Sequence, residues 1–199
     1  RYKEEITQEI PEVDAVLGTT SYGDIVKALN EAQAGHVFQE FRDINELPED
    51  SGRRVLTTGG HFGYLKIAEG CDKHCTYCII PSLRGKFRSV PEERLLAQAE
   101  YMASQGVKEL ILVAQETTVY GTDLYGKKTL HILLKKLCQI KGIRWIRVLY
   151  CYPEEIYDEL IQVMKEEKKI CNYLDLPIQH ASDRILKRMG RRTTRKQLE

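Results

Sequence analysis

Short apolar runs alternate with helical stripes of apolar residues along most of the chain. Residues 1–35 predict a helix, a strand and a second helix, because an apolar run at 14–17 precedes apolar residues at helical spacing. From 36 to 63 this pattern fails, and the segments 48–52 and 59–60 are typical of turns and linkers. We therefore expect a linker at 36–63, with a small α/β piece before it and a larger domain after it.

From residue 64 onward, predicted strands and helices alternate regularly. A Ser-Val-Pro-Glu capping box at 89–92 marks the start of the first helix, and Gly106 ends it. The segment 110–114 is apolar throughout, which predicts a strand buried on both faces. The predicted strands are 64–68, 110–114, 145–150 and 173–176, and the later helices are 130–138, 153–165 and 182–189.

Repeated strand–helix units of this length predict an α/β fold with a parallel sheet covered by helices. Four strands form an arc of a (β/α) barrel without closing it, so the sheet is either open or completed by further chain. In such folds, active sites lie in the loops that follow the carboxyl ends of the strands. We therefore look for chemistry in the loops after the predicted strands.

Composition narrows the class of protein. Apolar residues make up 42% of the chain and charged residues 30%, which is typical of a globular domain, and no apolar run has the length of a membrane helix. The 30 basic and 29 acidic residues give a net charge of +1, which argues against nucleic-acid binding by an overall basic surface. Without a secretory signal we expect a cytoplasmic protein with reduced cysteines. Because the chain begins at Arg1 and stops at Glu199, inside a predicted helix turn, we expect a piece of a longer protein.

Three of the six cysteines, Cys71, Cys75 and Cys78, lie within eight residues, in the loop after the first predicted strand of the larger domain. Their spacing is C-x3-C-x2-C, and Tyr77 immediately precedes the last one. Three such thiolates can bind three irons of a cubane cluster and leave the fourth iron open. A closed zinc site would need a fourth ligand, and three buried structural thiols are the simplest alternative. The position of the loop favours an iron–sulfur site.

The cysteine loop resembles the radical S-adenosylmethionine (SAM) superfamily, and the segment 69–81 with the basic residues that follow it is similar to the methylthiotransferases. Within that family, 115–121, 149–153 and 174–182 resemble the branch that modifies an aspartate of small-subunit ribosomal protein S twelve. The resemblance implies a radical SAM partial TIM barrel at 64–199, truncated here. It also implies that residues 1–35 are the tail of an N-terminal methylthiotransferase domain.

The same resemblance implies the cofactors and partners. These are one 4Fe–4S cluster on Cys71, Cys75 and Cys78, SAM, and a second 4Fe–4S cluster on three cysteines that we expect upstream of Arg1. The substrate would be ribosomal protein S twelve, and an electron donor such as flavodoxin would reduce the cluster. No membrane partner is expected, and nucleic acid enters only through the ribosome. Since cluster and SAM carry the chemistry, no side chain is predicted to be catalytic.

Polar residues at strand ends are the candidate SAM contacts. Glu116 follows the second strand, Arg147 is a charge within the third, and Gln179 follows the fourth. A charged side chain on an inner strand is costly unless it is paired. The competing interpretation is a solvated rim, and for each residue the two interpretations have equal weight. The basic residues Arg84, Lys86 and Arg88 either counter the charge of a thiolate-ligated cluster or form an ordinary basic loop.

Seven basic residues and no acidic one lie between 184 and 196. Such a run is usually a solvated helix face, and it also suits contact with ribosomal RNA.

Two alternatives for the function stay open from sequence. One keeps the chemistry and changes the substrate to a tRNA adenosine, and the other is a zinc-stabilised binding module without catalysis.

Overall fold

The computed structural model describes residues 2–48, 54–57 and 59–199. Its N-terminal part is a small unit in which two short strands, separated along the chain by a helix, pair in parallel. The elements are α1 (Lys3–Glu9), β1 (Ala15–Leu17), a 3-10 turn (Tyr22–Asp24), α2 (Ile25–Gln33) and β2 (Phe38–Glu40).

The helix–strand–helix order predicted for 1–35 is confirmed by α1, β1 and α2. The predicted linker at 36–63 needs correction, because β2 lies inside it and completes the sheet with β1. Pairing with a distant strand selects an extended conformation there, which local sequence does not encode. Residues 49–53 and 58 of that linker lie outside the described residues, and the domain division itself stays a prediction.

The strands of the larger unit are β3 (Phe62–Lys66), β4 (Ala68–Glu69), β5 (Arg88–Ser89), β6 (Glu109–Val113), β7 (Trp145–Val148) and β8 (Ile170–Leu174). Four of them form a parallel sheet in the order β3-β6-β7-β8, which confirms the predicted strand–helix array. The other two, β4 and β5, form an antiparallel ribbon that flanks the cysteine loop. The helices of the larger unit are α3 (Ile80–Arg84), α4 (Glu92–Ser104), α5 (Thr122–Tyr125), α6 (Leu130–Cys138), a 3-10 helix (Pro153–Glu155), α7 (Asp158–Glu166), α8 (Asp183–Arg188) and α9 (Arg195–Leu198).

The hydrophobic core lies between one face of the sheet and the helices α4, α6 and α7. Alternate strand residues such as Leu110, Leu112 and Ile146 are fully buried there. The strand predicted to be buried on both faces is covered on one face only, since Ile111 and Val113 are partly exposed. The opposite face therefore remains accessible in the described structure. Among the described residues, no helix has the length and apolarity needed to cross a bilayer.

The predicted capping box at 89–92 does not form. Ser89 lies in β5, and its hydroxyl donates to Asp123 Oδ1 at 2.6 Å and accepts from the backbone N–H of Gly121 at 2.9 Å. Helix α4 instead begins at Glu92, after Pro91. A tertiary partner 34 residues away thus takes the hydroxyl that the local pattern assigned to the helix end.

Several other predicted elements change their boundaries, two of them by three residues or more. The helix expected at 153–165 is a 3-10 turn followed by α7, and the strand expected at 173–176 is β8, which starts three residues earlier.

The N-terminal unit contacts the segment that follows the cysteine loop. Asn45 Oδ1 accepts a hydrogen bond from the backbone N–H of Lys86 at 3.0 Å, and Thr19 donates to the carbonyl of Leu83 at 3.0 Å. Gly85 fits under this contact because a Cβ there would lie 2.7 Å from the same Asn45 oxygen. The N-terminal unit therefore buttresses the loop that carries the candidate chemistry.

Candidate cysteine-loop site

The cysteine loop leaves the sheet at its carboxyl edge through Gly70. Gly70 has a φ of +78°, and a Cβ at this position would lie 2.1 Å from the carbonyl oxygen of Lys86. Its backbone N–H donates to Gln115 Oε1 at 2.8 Å, which ties the loop to the end of β6. Only glycine fits both the left-handed conformation and the close approach. Gln115 therefore positions the loop.

Backbone hydrogen bonds hold the loop on both sides. The N–H of Cys71 donates to Gly85 O at 3.2 Å, that of Cys78 to Cys75 O at 3.0 Å, and that of Thr76 to Met189 O at 3.0 Å. Cys71 and Cys75 are buried, and Cys78 is half-buried. Burial raises the pKa of the Cys71 thiol to about 11. A buried thiolate here needs a compensating positive charge, and a bound metal ion would supply it.

All three thiols are free of disulfides. Among the described residues, no group of three His, Cys, Asp or Glu side chains lies close enough together to hold a single metal ion. In a cubane cluster each thiolate binds a separate iron, so the sulfur atoms need not converge on one point. The ligand assignment of Cys71, Cys75 and Cys78 stays a prediction.

A cavity of about 340 Å³ opens beside the loop. Most of its lining is polar or charged, and Phe87 and Val119 contribute apolar side chains. Its lining comprises Asp72, Lys73, His74, Cys75, Phe87, Glu116, Val119, Thr122, Tyr152, Glu154, Gly190, Arg191 and Arg192. The second and third strand-end loops therefore face the cysteine loop across one space, as the parallel sheet predicts.

Arg191 is a buried cation in this cavity, and only 1% of its side chain is exposed. Its Nη2 donates to the carbonyl of Pro177 at 3.2 Å and lies 3.4 Å from Glu154 Oε2, and the guanidinium stacks 4.1 Å from the centroid of Tyr152. Nε and Nη1 have no partner among the described residues. Unpaired buried donors are costly, so this side chain is prepared to bind an anionic group.

Lys73, inside the cysteine loop, belongs to a second charged group. Its ammonium pairs with Glu155 and lies 3.9 Å from Glu116 Oε2. Glu155 also accepts a hydrogen bond from Lys128 at 2.8 Å. The same ammonium lies 5.2 Å from the ring centroid of Tyr152, whose hydroxyl is 3.7 Å from Cys75 Sγ. Lys73 and Tyr152 thus tie the cysteine loop to the third strand-end loop.

Glu116 is the buried carboxylate of the cavity. Burial raises its pKa to about 7, partly offset by Lys73 and by the hydroxyl of Thr118, which donates to Oε1 at 3.3 Å. Lys73 pairs more closely with Glu155 and lies 3.9 Å from Glu116 Oε2, so Glu116 shares this cation with another carboxylate. It is therefore suited to bind a ligand cation.

The raised pKa of Glu116 predicts a pH-dependent stability. Between the ordinary value of 4.5 and about 7, the folded chain binds this proton more tightly than the unfolded chain, so stability falls as pH rises. Glu116→Gln should remove up to about 3 kcal/mol of that decline between pH 5 and pH 8. Urea unfolding of the cluster-free protein at both pH values measures it. The exposed control Glu100→Gln should keep the wild-type slope, and equal slopes in all three proteins would contradict the prediction.

The other two predicted SAM contacts do not line the cavity. Arg147 donates from Nε to Glu109 Oε1 at 2.6 Å and lies 5.3 Å from the ring centroid of Tyr173, on the open face of the sheet. Gln179 is exposed and has a φ of 65°. Of the three candidates, the structure brings only Glu116 next to the cysteine loop.

Two of the three basic residues after the loop, Arg84 and Arg88, have protein partners. Arg84 lies 3.8 Å from the buried carboxylate of Glu69, which also pairs with Lys66. Arg88 donates to the backbone carbonyls of Lys86 and Arg84. These contacts fix the segment that covers the loop.

The three scattered cysteines take no part in the cavity. Cys138 is buried on the apolar stripe of α6, and Cys151 is fully buried beside Thr117, 3.5 Å from its hydroxyl. Cys171 is half-buried in β8.

Arg191, Glu154 and Tyr152 were not predicted from sequence. Tyr152 and Glu154 lie in the loop after the third strand, which the parallel-sheet rule does point to. Arg191 sits within the run interpreted as a solvated face, and only its burial separates it from its neighbours.

Comparison with known proteins gives the family. The model of the radical SAM superfamily matches residues 65–199. A protein named ribosomal protein uS12 methylthiotransferase RimO from Lachnoclostridium phytofermentans is 64% identical over the whole chain, and one of the same name from Clostridium botulinum is 52% identical. The chain spans 45% of the length of each of these relatives.

Solved structures agree on the fold. The radical S-adenosylmethionine methyltransferase TsrM from Kitasatospora setae superposes with a TM-score of 0.55 at 15% identity, covering 70% of this chain and 27% of that one. The cobalamin-dependent S-adenosylmethionine radical enzyme OxsB gives 0.54 at 19% identity, covering 67% and 20%. With its parallel sheet, its cysteine loop and the family match over 65–199, the chain belongs to the radical SAM superfamily.

Proposed function

We propose that the chain is a portion of a radical SAM methylthiotransferase that modifies an aspartate of ribosomal protein uS12 and works in the cytoplasm. The observation that carries the substrate assignment is the 64% identity, over the full chain, to a protein named for that activity. The cysteine loop and the charged cavity beside it support the chemistry. The chain spans 45% of the length of these relatives, so the activity of a whole enzyme is proposed here from its similarity to that part of them.

The superfamily uses a 4Fe–4S cluster and SAM, and the residues of this cavity fit both. Cys71, Cys75 and Cys78 would bind three irons. The two unpaired nitrogens of Arg191 suit a carboxylate, and the buried Glu116 suits an ammonium, so together they match the amino-acid end of SAM. Arg147 and Gln179 stay predictions for the rest of the ligand. A second 4Fe–4S cluster, expected from the resemblance, would lie outside this chain.

When bound, the cluster and SAM supply the radical chemistry that activates an unreactive C–H bond. The protein's own residues would bind and orient the ligand and shield the site from solvent. Lys73 and Tyr152 hold the loop against the third strand-end loop, and Arg191 and Glu116 fix the charged end of the ligand. Cys71 and Cys75 are buried, which would limit the access of solvent to the cluster.

The domain division is part of the proposal. Residues 1–35 form the tail of an N-terminal methylthiotransferase domain, to which β2 adds a strand at Phe38–Glu40, and the rest of 36–63 is the linker. Residues 64–199 belong to the radical SAM domain. A one-electron donor such as flavodoxin would reduce the cluster.

The test compares two possible targets, the ribosomal protein uS12 and tRNA, in cells that lack the parent gene. Mass spectrometry should show loss of the methylthio group from uS12, with methylthioadenosine in tRNA unchanged. The reverse pattern would transfer the enzyme to the tRNA-modifying branch. Zinc without iron and sulfide in the anaerobically purified protein would instead favour the zinc-stabilised binding module.

A further inference from the structure

A strongly basic surface lies on α8 and α9. Arg184, Lys187 and Arg188 are exposed on α8, and Lys196 is exposed on α9. The two helices start side by side, because the backbone N–H of Arg195 donates to Asp183 Oδ1 at 2.7 Å. We call these four exposed side chains the basic surface.

The positive charges of the basic surface are not neutralised by ion pairs, because the nearby acidic side chains have other partners. Glu199 pairs with Arg195 at 2.8 Å, and the carboxylate of Asp183 caps α9. Glu154 is turned inward to Arg191 and Thr193. Within the described part of the chain, no carboxylate lies within salt-bridge distance of the four exposed side chains of the basic surface.

The end of helix α8, which carries three residues of the basic surface, lies directly against the cysteine loop. The carbonyls of Arg188 and Met189, at the end of α8, accept hydrogen bonds from the hydroxyl and the N–H of Thr76 at 3.1 and 3.0 Å. Gly190 follows, and a Cβ there would lie 2.9 Å from His74 O and 3.6 Å from Cys75 Cα. The backbone that carries the basic surface therefore packs, at its C-terminal end, directly on the segment 74–76 of the cysteine loop.

We propose that the basic surface docks the acidic face of a one-electron carrier protein of the flavodoxin type. This inference rests on the proposed function, which needs a reduced cluster. In the step, the carrier is oxidised by one electron and the cluster on the cysteine loop is reduced by one electron, and no bond forms or breaks. Opposite charges steer the encounter, and transient electron-transfer complexes need only a small interface.

The surface suits an acidic protein better than RNA. Proteins that bind single-stranded RNA place aromatic side chains among the basic ones so that bases can stack. The segment 183–199 contains no aromatic residue. Its charge is also concentrated on two short helices beside Cys75 rather than spread along a track for a phosphate backbone. Electron delivery explains this location, and RNA binding does not.

The experiment measures binding of oxidised flavodoxin to the complete enzyme without its cluster, so that the result is independent of activity. The triple variant Arg184→Glu, Lys187→Glu and Arg188→Glu should weaken binding at least about tenfold at low salt, and wild-type affinity should fall steeply with ionic strength. A matched variant, Lys141→Glu, Arg144→Glu and Lys168→Glu, reverses three exposed charges that precede β7 and β8 and should bind like wild type.

A second readout separates the docking surface from the chemistry. In the reconstituted enzyme, SAM cleavage driven by reduced flavodoxin should fall at least about tenfold in the α8 variant, while cleavage driven by dithionite stays at the wild-type rate. Unchanged flavodoxin affinity in that variant would overturn the inference, and so would loss of RNA binding with flavodoxin binding intact. Wild type that fails to cleave SAM with dithionite would count against the proposed function and leave the binding result to decide on the surface.

Discussion

Replacing any one of Cys71, Cys75 and Cys78 with alanine is expected to remove most of the iron from the anaerobically reconstituted protein and to abolish SAM cleavage. The physical reason is that a cubane cluster with an open iron has only three protein ligands, so none is dispensable. Cys71 and Cys75 are buried, so solvent has little access to a ligand position that alanine leaves empty. Iron and sulfide counts with visible absorption measure the result.

The matched control is Cys138→Ala, because Cys138 is also a buried thiol but lies on α6, away from the cavity. Its truncation should lower stability modestly and leave iron at the wild-type level. Near-normal iron in any of the three loop variants would contradict the ligand assignment. Equal loss of iron in the control would show that folding, and not ligation, sets the iron content.

The fold could be predicted to the extent that its signals are local and periodic. The four parallel strands and the helices α4, α6 and α7 follow from apolar periodicity, which fixes which face is buried. The signals that failed depend on distant partners. β2 is a strand because β1 lies beside it, and the hydroxyl of Ser89 binds Asp123 instead of capping α4.

The features of the candidate site also differ in whether they depend on local sequence or on distant partners. Cysteine spacing is a local property, and with the strand order it located the loop and the carboxylate of Glu116. Arg147 sits on a strand as predicted, but Glu109 on the neighbouring strand takes its charge. The run 184–196 has uniform sequence character, yet one of its arginines is buried and the others named here are exposed. Periodicity cannot separate them, because the distinction arises from the turn at Gly190 against Cys75.

The charged cavity adds a constraint on how the cysteine loop is oriented. Tyr152 lies between two cations, Lys73 from the loop and Arg191 from the segment after α8, and its hydroxyl contacts Cys75. Glu154 and Glu155, adjacent in sequence, each pair with one of those cations. The short 3-10 turn at Pro153–Glu155 therefore fixes both cations around one aromatic ring. Arg191 is therefore held in a fixed position with two nitrogens that have no partner among the described residues, so its replacement is expected to weaken ligand binding.

Arg191→Lys is expected to weaken SAM binding to the cluster-free protein by about 10- to 100-fold, because hydrogen bonds to charged groups contribute about 1.5–3 kcal/mol. Lysine keeps the positive charge beside Glu154 but cannot supply the two guanidinium nitrogens that lack partners among the described residues. Equilibrium dialysis measures the affinity. Arg195→Lys, at an exposed arginine paired with Glu199, is the matched control and should bind like wild type.

Decarboxylated SAM distinguishes carboxylate recognition from a general loss of structure. Wild type should bind this analogue as weakly as Arg191→Lys binds SAM, and the variant should lose little further affinity when the carboxylate is removed, since the two changes delete the same interaction. If each change weakens binding independently and the losses add, Arg191 does not contact the carboxylate. An unchanged SAM affinity in Arg191→Lys, with only a lower unfolding midpoint, would reduce its role to holding Tyr152 and Glu154 in place.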